Sequence, residues 1–192
     1  FGKPLSPPPP RLRLELPEIE IHRFPGNPRG HVIVRKTPLE AWRELIFRIV
    51  RFGHFVHLRK GDRQELQDVK VVIEDPKEDP PEQLKKFGFS IEHFRNYQKS
   101  ILDPTLAKDQ TYSYGNRIRS YFEVDALTEC IRRLDHDYED RKSYISLWDT
   151  SQDLGDQSGK PCLVSLFFRL FEEKLTLTAT FRTHNALDAW LE

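Results

Sequence analysis

Two apolar runs joined by a short charged turn limit the possible folds of this chain most strongly. In the second run, over residues 175–182, apolar residues alternate with Thr and Arg. This period of two is typical of a β-strand with two different faces. The first run follows Pro161-Cys162, and Glu172-Glu173-Lys174 separates it from the second. The pattern therefore predicts a β-hairpin with its turn near Glu173.

The predicted hairpin brings Cys162 close to Arg182. With the turn centred near Glu173, we expect Cys162 to lie roughly opposite Thr183, and directly opposed side chains are about 5 Å apart at Cβ. Arg182 can then reach the thiol. A guanidinium beside a cysteine stabilises the thiolate, which is the nucleophilic form, so the pair is a candidate catalytic centre. On the pair alone, a small buried hydrophobic cysteine at the start of a strand remains the alternative.

Composition and charge are those of an ordinary soluble globular protein. The chain has 30 Lys+Arg and 30 Asp+Glu among 192 residues, so no net basic field attracts nucleic acid or a membrane surface. No apolar run reaches the ~20 residues that span a bilayer, and we expect no secretory signal. The two cysteines, Cys130 and Cys162, favour a reducing compartment, so we expect a cytoplasmic protein. We expect no metal site, because His54 and His57 give an incomplete ligand set.

The two ends of the chain lead to separate expectations. Residues 1–30 contain four consecutive prolines, Pro7 to Pro10, which favour an extended arm or linker and forbid helix. A proline-rich ligand for another domain is the alternative for this segment. Residues 31–192 are predicted to form one domain. Because the chain ends at Glu192 in what looks like the middle of an element, we expect a further C-terminal portion.

Helix and strand signals fill the region between the arm and the hairpin. Thr37 and Glu40 form a capping-box pattern before an amphipathic stretch, and Ser90 and Asp125 predict two further helix starts. Cys130 falls on or beside the apolar face of the last helix, so we interpret it as structural. The predicted elements are a helix over 38–52, a strand over 69–73, helices after Ser90 and Asp125, and a strand over 143–148. Without βαβ regularity, this order predicts an α+β fold whose mixed, mostly antiparallel sheet packs with helices.

Two polar stretches are candidate binding segments. Arg59, Lys60 and Arg63 surround Gly61 in a predicted turn that could hold a phosphate, with a solvated loop as the alternative. Residues 109–122 interleave aromatic side chains with arginines. Such a mixture can stack on single-stranded nucleic acid, but it also fits a nucleotide pocket or the rim of a core.

The order of these motifs resembles that of the thymidylate synthase family. The motifs are Arg59-Lys60-Gly61, Tyr114-Gly115 with Arg119, Val124-Asp125-Ala126-Leu127, Arg141-Lys142 before Trp148, Pro161-Cys162, and Arg182-Thr183-His184-Asn185. Six motifs in this order over about residues 38–192 are hard to obtain by chance. The resemblance implies the thymidylate-synthase-like α+β fold.

The resemblance also implies a reaction. A one-carbon unit would pass from 5,10-methylenetetrahydrofolate to C5 of a pyrimidine nucleoside monophosphate, converting dUMP to dTMP. In such chemistry a thiolate adds at C6 of the base and makes C5 nucleophilic. By resemblance, Cys162 is this nucleophile and Arg182 stabilises its thiolate and holds the phosphate. Tyr114 belongs to the network that assists loss of the C5 proton.

Further substrate contacts and a homodimer follow from the same resemblance. Arg59 is implied as a second phosphate ligand. Arg141 and Lys142 are implied to reach the phosphate of the nucleotide bound by the neighbouring subunit. Thr183 and Asn185 complete the predicted substrate-binding set. The folate ligands are not identified, and neither a metal, a membrane nor nucleic acid is an expected partner.

Several residues depart from the family pattern. Leu163 stands where a His is common, Lys142 replaces an Arg, and Asn185 replaces an Asp that faces folate. Residues 75–109 do not match the family's Glu- and Trp-containing helix, and Glu92 is the nearest candidate for its catalytic Glu. Asp153 loosely matches a family Asp that follows Trp, and it receives no role.

These departures keep two alternatives open. The first is hydroxymethylation of dUMP, dCMP or CMP by an enzyme of the same superfamily, and the residue that distinguishes uracil from cytosine would follow Glu192. The second is a nucleotide- or RNA-binding module without catalysis, served by the aromatic and arginine stretch. Binding alone does not require the thiolate that Cys162 and Arg182 would provide.

Overall fold

In the computed structural model, the described residues are 29–155 and 159–190, and they fall into two compact units. Residues 29–32 and 48–70 belong to the first unit, and residues 33–47 and 71–190 belong to the second. The arm predicted over residues 1–30 lies outside the described residues except for Arg29 and Gly30, which begin a strand. The arm and the single domain over 31–192 therefore stay predictions.

The described residues form helices and strands joined by loops. In chain order they are β1 (Arg29–Arg35), α1 (Pro38–Phe52), β2 (His54–Leu58), β3 (Gly61–Glu65), β4 (Gln67–Ile73), α2 (Pro81–Lys86), α3 (Ile91–Ser100), α4 (Tyr114–Arg119), α5 (Ala126–His136), β5 (Tyr144–Ser146), α6 (Thr150–Asp153), β6 (Leu163–Phe171) and β7 (Lys174–Phe181). The described strands lie in three sheets, β1-β4, β2-β3 and β5-β6-β7. The pairs β2–β3, β5–β6 and β6–β7 are antiparallel. The predicted α+β class with mostly antiparallel strands is confirmed.

A hairpin of mostly exposed strands characterises the first unit. β2 and β3 pair from His54–Glu65 to Leu58–Gly61, so only Arg59 and Lys60 form the turn. The sequence predicts a longer mobile turn here. Most side chains of both strands are exposed, and a strand without a buried face shows no apolar alternation for a sequence pattern to detect.

The three predicted helix starts are confirmed by their caps. The Thr37 N–H donates to Glu40 Oε2 at 3.3 Å, and the Glu40 N–H donates to Thr37 Oγ1 at 3.3 Å, which completes the capping box. Ser90 Oγ accepts from the His93 N–H at 3.2 Å, and Asp125 Oδ1 accepts from the Thr128 N–H at 3.1 Å. Each cap satisfies an N–H group that has no partner within its own helix.

Three short helices, α2, α4 and α6, are absent from the sequence predictions. They have six, six and four residues, which is too short to display the 3.6-residue period. Ser113 caps α4 by accepting from the Asn116 N–H at 3.1 Å. Within α4, the backbone of Gly115 lies so close to the backbone of Asp103 that a Cβ has no room. This close approach gives a physical reason for glycine in the Tyr-Gly motif.

An apolar cluster in the second unit supports the start of β6. Its buried members come from α4, α5, the β5 region and β6, and they are Ile118, Cys130, Ile145, Leu147 and Leu163. Cys130 is 4% exposed, as the structural interpretation predicts. Since Leu163 directly follows Cys162, packing of Leu163 in this core fixes the backbone that carries the candidate nucleophile.

A second cluster in the same unit holds the residues that follow the hairpin. Leu39, Trp42 and Leu84 form its buried part, with Trp190 packed against it. Trp42 Nε1 donates to the Ala186 carbonyl at 2.7 Å, and Trp190 Nε1 donates to the Pro38 carbonyl at 3.2 Å. The segment after β7 is therefore anchored to the first half of α1.

The hairpin register differs from the prediction by one residue at its open end. Ser165 pairs with Thr180, but Leu163 pairs with Phe181, so one extra residue of β6 forms a bulge between these pairs. The Arg182 N–H then donates to the Cys162 carbonyl at 2.9 Å. The prediction that Cys162 lies opposite Thr183 is wrong, because a β-bulge shifts the register and the alternation of β7 carries no signal of an extra residue in β6.

The hairpin turn offers a test of backbone strain. Glu172 and Glu173 have φ angles of 48° and 60°, a left-handed conformation that is unfavourable for an ordinary residue. Asn-Gly is the preferred dipeptide for such a turn. We expect the double replacement Glu172→Asn, Glu173→Gly to raise the midpoint of urea denaturation, because both new residues tolerate positive φ. Glu139→Gly, at a position without positive φ, is the control and should lower the midpoint; equal effects would contradict the strain argument.

Candidate active site

Cys162 and Arg182 lie together where the two hairpin strands begin and end. Cys162 is partly exposed just before β6, and Arg182 Nη2 is 4.0 Å from its Sγ. Arg182 is held by backbone oxygens, since its Nε donates to the Pro161 carbonyl at 2.8 Å and its Nη2 donates to the Lys160 carbonyl at 3.2 Å. The guanidinium therefore has a fixed position beside the sulfur, at the contact that the sequence predicts.

Trp148 adds a second contact to this guanidinium. The central carbon of the Arg182 guanidinium lies 5.4 Å from the centroid of the Trp148 ring, within the range of a cation–π interaction. Trp148 directly follows Leu147, which is fully buried in the core cluster. The ring thus links the position of Arg182 to the same core that supports Leu163.

Two tyrosines lie next to the candidate nucleophile. The Tyr114 hydroxyl oxygen accepts from the Leu163 N–H at 3.3 Å, the amide directly after Cys162. Tyr112, which the sequence interpretation did not place in the site, has its ring 5.8 Å from that of Tyr114. Burial raises the pKa of Tyr112 to about 12, and the nearby Tyr114 and Cys162 add to this effect, whereas Arg182 opposes it. Tyr114, Cys162 and Arg182 are therefore all close enough to affect the pKa of Tyr112.

The shifted pKa of Tyr112 predicts a late-titrating phenol. The ordinary value is 10.0 and the folded value is about 12. A raised pKa means that the protonated phenol stabilises the fold below about pH 10 and that this stabilisation is lost as pH rises towards 12. In an ultraviolet titration of tyrosinate, Tyr112→Phe should remove one tyrosine that ionises near pH 12. Loss of a tyrosine that ionises near pH 10 instead would contradict the assignment.

A buried ion pair lies near Lys160, two residues before Cys162. Arg117 Nη2 is 2.8 Å from Asp153 Oδ1, and the two side chains are 4% and 0% exposed. The Asp149 N–H donates to Asp153 Oδ2 at 2.8 Å. Lys160 Nζ lies 3.7 Å from Asp153 Oδ1, and the Lys160 carbonyl accepts from Arg182. The pair thus joins α4 and α6 to the segment that holds the candidate site.

The sequence predicts no role for either partner of this pair. Asp153 shows only its spacing from Trp148, and Arg117 is one of two arginines in the aromatic stretch. Arg117 also lies 3.8 Å from the centroid of the Tyr121 ring, and the Tyr121 hydroxyl donates to Asp149 Oδ2 at 2.9 Å. An arginine beside aromatic residues is a signal for stacking, but the buried carboxylate partner is visible only in three dimensions.

The predicted phosphate ligands Arg141 and Lys142 lie in the loop between α5 and β5. Both are exposed and line a cavity of about 310 Å³, together with Arg132, Arg133, His136, Asp137, Glu139 and Asp140. Asp140 is held by Arg133, whose hydrogen bond lowers the pKa of Asp140 to about 2. Within the described chain, no hydrogen bond or ion pair joins Arg141 or Lys142 to Cys162.

The other predicted site residues lie at separate places. Arg59 is in the β2–β3 turn of the first unit, Thr183 is exposed after β7, and Glu92 is exposed in the first turn of α3. Asn185 Oδ1 accepts from the Leu187 and Asp188 N–H groups at 3.0 and 3.3 Å, and its Nδ2 donates to Asp188 Oδ2 at 2.8 Å. The Asn185 amide thus shapes its own loop. The functional roles of these residues stay predictions.

Within residues 29–155 and 159–190, no group of three or more His, Cys, Asp and Glu side chains is arranged to hold a metal ion. In the same part of the chain, no helix has the length and apolar character required to cross a membrane.

Comparison with known proteins finds relatives of the superfamily that the sequence resembles. No protein-family model matches the chain. A protein of Methanothermobacter thermautotrophicus named "Putative thymidylate synthase" is 28% identical over 165 residues, which cover 79% of this chain and 73% of that protein. A protein of the same name from Methanopyrus kandleri is 28% identical over 141 residues, or 73% of this chain and 66% of that protein. A deoxyuridylate hydroxymethyltransferase of Pseudomonas phage M6 is 35% identical over 78 residues, or 39% of this chain and 22% of the phage protein.

An α+β fold with a cysteine, an arginine and a tyrosine at the open end of a hairpin defines a candidate nucleophilic enzyme site. These relatives support the superfamily of thymidylate synthases and pyrimidine nucleotide hydroxymethylases for this chain. The resemblance found in the sequence is thereby confirmed at the level of the superfamily.

Proposed function

We propose that this chain transfers a one-carbon unit from 5,10-methylenetetrahydrofolate to C5 of dUMP and so forms dTMP. The observation that carries the proposal is the 4.0 Å distance between Cys162 Sγ and Arg182 Nη2, with the guanidinium held by two backbone carbonyls. A reactive cysteine requires a partly exposed sulfur in electropositive surroundings. Cys162 meets both conditions, and the chain is similar to proteins named putative thymidylate synthase.

The proposed reaction begins at the sulfur. The Cys162 thiolate adds to C6 of the pyrimidine, and the electron pair of the C5–C6 double bond moves towards the C4 carbonyl, which makes C5 nucleophilic. Arg182 keeps a positive charge beside the sulfur, and the N–H groups that its carbonyl contacts leave over are proposed to bind the phosphate. When bound, methylenetetrahydrofolate supplies the one-carbon unit and, for methylation, the hydride. No described residue is assigned to it.

Tyr114 is proposed to assist loss of the C5 proton. Its hydroxyl oxygen is bonded to the Leu163 N–H, so its distance from the neighbouring Cys162 backbone is fixed. General acid–base catalysis requires such a group within hydrogen-bond reach of the reacting atoms, and it contributes about 100- to 10,000-fold to a rate. A base bonded through C6 to the Cys162 sulfur would have its C5 near the Tyr114 hydroxyl.

A homodimer and further phosphate ligands complete the proposal. Arg59 would bind the nucleotide phosphate, together with Arg141 of the partner subunit and Lys142 of the partner subunit. The exposed positions of Arg141 and Lys142, which line a cavity, support this assignment. Thr183 and Asn185 follow β7 beside Arg182 and are proposed to complete the nucleotide site. The two cysteines are unpaired, which supports a cytoplasmic setting.

Hydroxymethylation is the second candidate function. The phage relative is named for deoxyuridylate hydroxymethylation and shares more identity, over a shorter stretch, than the archaeal relatives do. The two reactions share the Cys162 adduct. They differ in whether a hydride or a water molecule reaches the methylene group on C5.

Product mass distinguishes these functions. The full-length protein is incubated with methylenetetrahydrofolate and, in separate reactions, dUMP, dCMP or CMP, and the nucleotides are analysed by mass spectrometry. A methyl group on dUMP is the expected result. A hydroxymethyl group on any of the three supports the second candidate, and recovery of unmodified nucleotide in every reaction would reject both and favour a binding module.

A further inference from the structure

Trp148 has a fixed place beside Arg182 that does not depend on Arg182 itself. The Leu147 N–H donates to a carbonyl of β6 at 2.9 Å, and the Asp149 N–H donates to Asp153 Oδ2 at 2.8 Å. The hydrogen bonds of its two neighbours therefore hold the backbone of Trp148, and Leu147 is fully buried in the core. Among the matched motifs, Trp148 serves only as a marker of position, and the resemblance implies no role for it.

The Arg182 guanidinium is held by hydrogen bonds along one edge. Its Nε donates to the Pro161 carbonyl at 2.8 Å and its Nη2 donates to the Lys160 carbonyl at 3.2 Å. Among the described residues, its Nη1 has no hydrogen-bond partner. A planar group held at two points can still tilt about the line that joins them, the hinge line, because the Arg side chain is long and flexible. Such a tilt moves the free corner, Nη1, most and moves Nη2 least.

The Trp148 ring is the contact that can stop this tilt. The central carbon of the guanidinium lies 5.4 Å from the ring centroid, and a guanidinium is attracted to the face of an aromatic ring. The central carbon lies off the hinge line, since that line follows the edge formed by Nε and Nη2. Three points of support that do not share one line fix the orientation of a plane. The two carbonyls and the ring together therefore define the direction of both Nη1 N–H bonds.

We propose that Trp148 is a positioning residue that sets the tilt of the Arg182 guanidinium and so aims its Nη1 N–H groups at the nucleotide phosphate. The inference rests on the proposed function and deepens it, because it names the residue that orients a phosphate ligand. Arg182 is exposed, so a ligand can reach these N–H groups. Guanidinium groups bind phosphate through hydrogen bonds of defined direction. Since Nη2 lies on the hinge line, Trp148 should affect phosphate binding and leave the reactivity of Cys162 nearly unchanged.

Binding of a nucleotide with and without its phosphate tests this inference. Calorimetry gives the Kd of dUMP and of deoxyuridine for wild type, Trp148→Leu and Trp148→Phe. We expect Trp148→Leu to weaken dUMP binding about 10-fold and deoxyuridine binding less than about twofold. Trp148→Phe keeps an aromatic face for the guanidinium and should stay within about threefold of wild type for both ligands. An equal loss for both ligands in Trp148→Leu would indicate general damage to the site and overturn the inference.

Two measurements without nucleotide complete the test. Iodoacetamide should alkylate Cys162 in Trp148→Leu at a rate within about twofold of wild type, and a larger change would overturn the inference. The order parameter of the Arg182 Nε–H bond, from ¹⁵N relaxation, should fall in Trp148→Leu and stay unchanged in Trp148→Phe.

Tyr138→Leu is the control, because Tyr138 is 69% exposed, and it should change none of these quantities. An unchanged order parameter in Trp148→Leu would refute the role of the ring. If wild type binds no dUMP, the proposed function fails, and the order parameter still decides whether Trp148 restrains the guanidinium.

Discussion

Replacing Cys162 by Ala is expected to lower turnover at least about 1,000-fold, since residual rates without a nucleophile come only from binding and electrostatic contacts. The expectation follows from the structure because Cys162 is the described cysteine with an arginine nitrogen next to its sulfur. The loss should appear in kcat, while the Kd of dUMP, measured by calorimetry, should change little. Arg182 and the backbone that holds it remain in place in the variant.

Cys130 provides the matched control for this prediction. It is 4% exposed in the core formed with Ile118 and Leu147, and burial raises the pKa of its thiol. Cys130→Ala removes one buried sulfur, which should cost about 1 kcal/mol of stability and leave turnover within about threefold. Activity that survives in Cys162→Ala and disappears in Cys130→Ala would refute the assignment of the nucleophile.

Replacing Asp153 by Asn is expected to reduce the free energy of unfolding by about 3–5 kcal/mol, because it leaves a buried charge without its partner. The Arg117 guanidinium is 4% exposed and its Nη2 is 2.8 Å from Asp153. Its Nε has no hydrogen-bond partner in the described structure, so in the variant the Tyr121 ring and the Leu147 carbonyl are left to compensate the charge. Equilibrium denaturation in urea measures the effect.

An exposed ion pair and a double replacement are the controls. Arg132 and Glu129 form an ion pair at 2.6 Å, with side chains 65% and 43% exposed. Glu129→Gln should therefore change stability far less than Asp153→Asn does, because water screens an exposed pair. Replacing both members of the buried pair by apolar residues, as in Arg117→Met with Asp153→Leu, should recover much of the lost stability. A similar loss of unfolding free energy in Asp153→Asn and Glu129→Gln would contradict the claim that the buried pair stabilises the fold more than an exposed pair does.

Loss of the buried pair should also affect the site. Lys160 contacts Asp153 through its side chain and Arg182 through its carbonyl. Asp153→Asn thus weakens one support of the backbone that fixes Arg182. The stability of the fold and the position of the candidate site depend on the same buried charge.

Local signals allowed much of the secondary structure to be predicted from the sequence. The helix starts at Thr37, Ser90 and Asp125 could be identified because a capping side chain acts on amides two or three residues away. The β6–β7 hairpin could be identified because β7 alternates strictly. The bulge before Ser165 could not, because it depends on how two strands pair and not on the pattern within one strand.

The site could be predicted only in part. Cys162 and Arg182 are placed together by the hairpin itself, so sequence reasoning reached them, and the motif order added Tyr114. The sequence analysis does not predict the positions of Tyr112 and Asp153 near the site. Both positions depend on contacts between segments that are far apart in the chain; Arg117 and Asp153, for example, are 36 residues apart.

Capture of a fluorinated nucleotide tests the central claim most directly. The full-length protein is mixed with 5-fluoro-dUMP and methylenetetrahydrofolate and digested, and its peptides are analysed by mass spectrometry. Because fluorine cannot leave C5 as a cation, addition of the Cys162 sulfur at C6 should end in a stable adduct that contains nucleotide and folate. The account predicts this adduct on the peptide that contains Cys162. A protein that binds the nucleotide but carries no adduct, or carries it on another residue, would contradict the account.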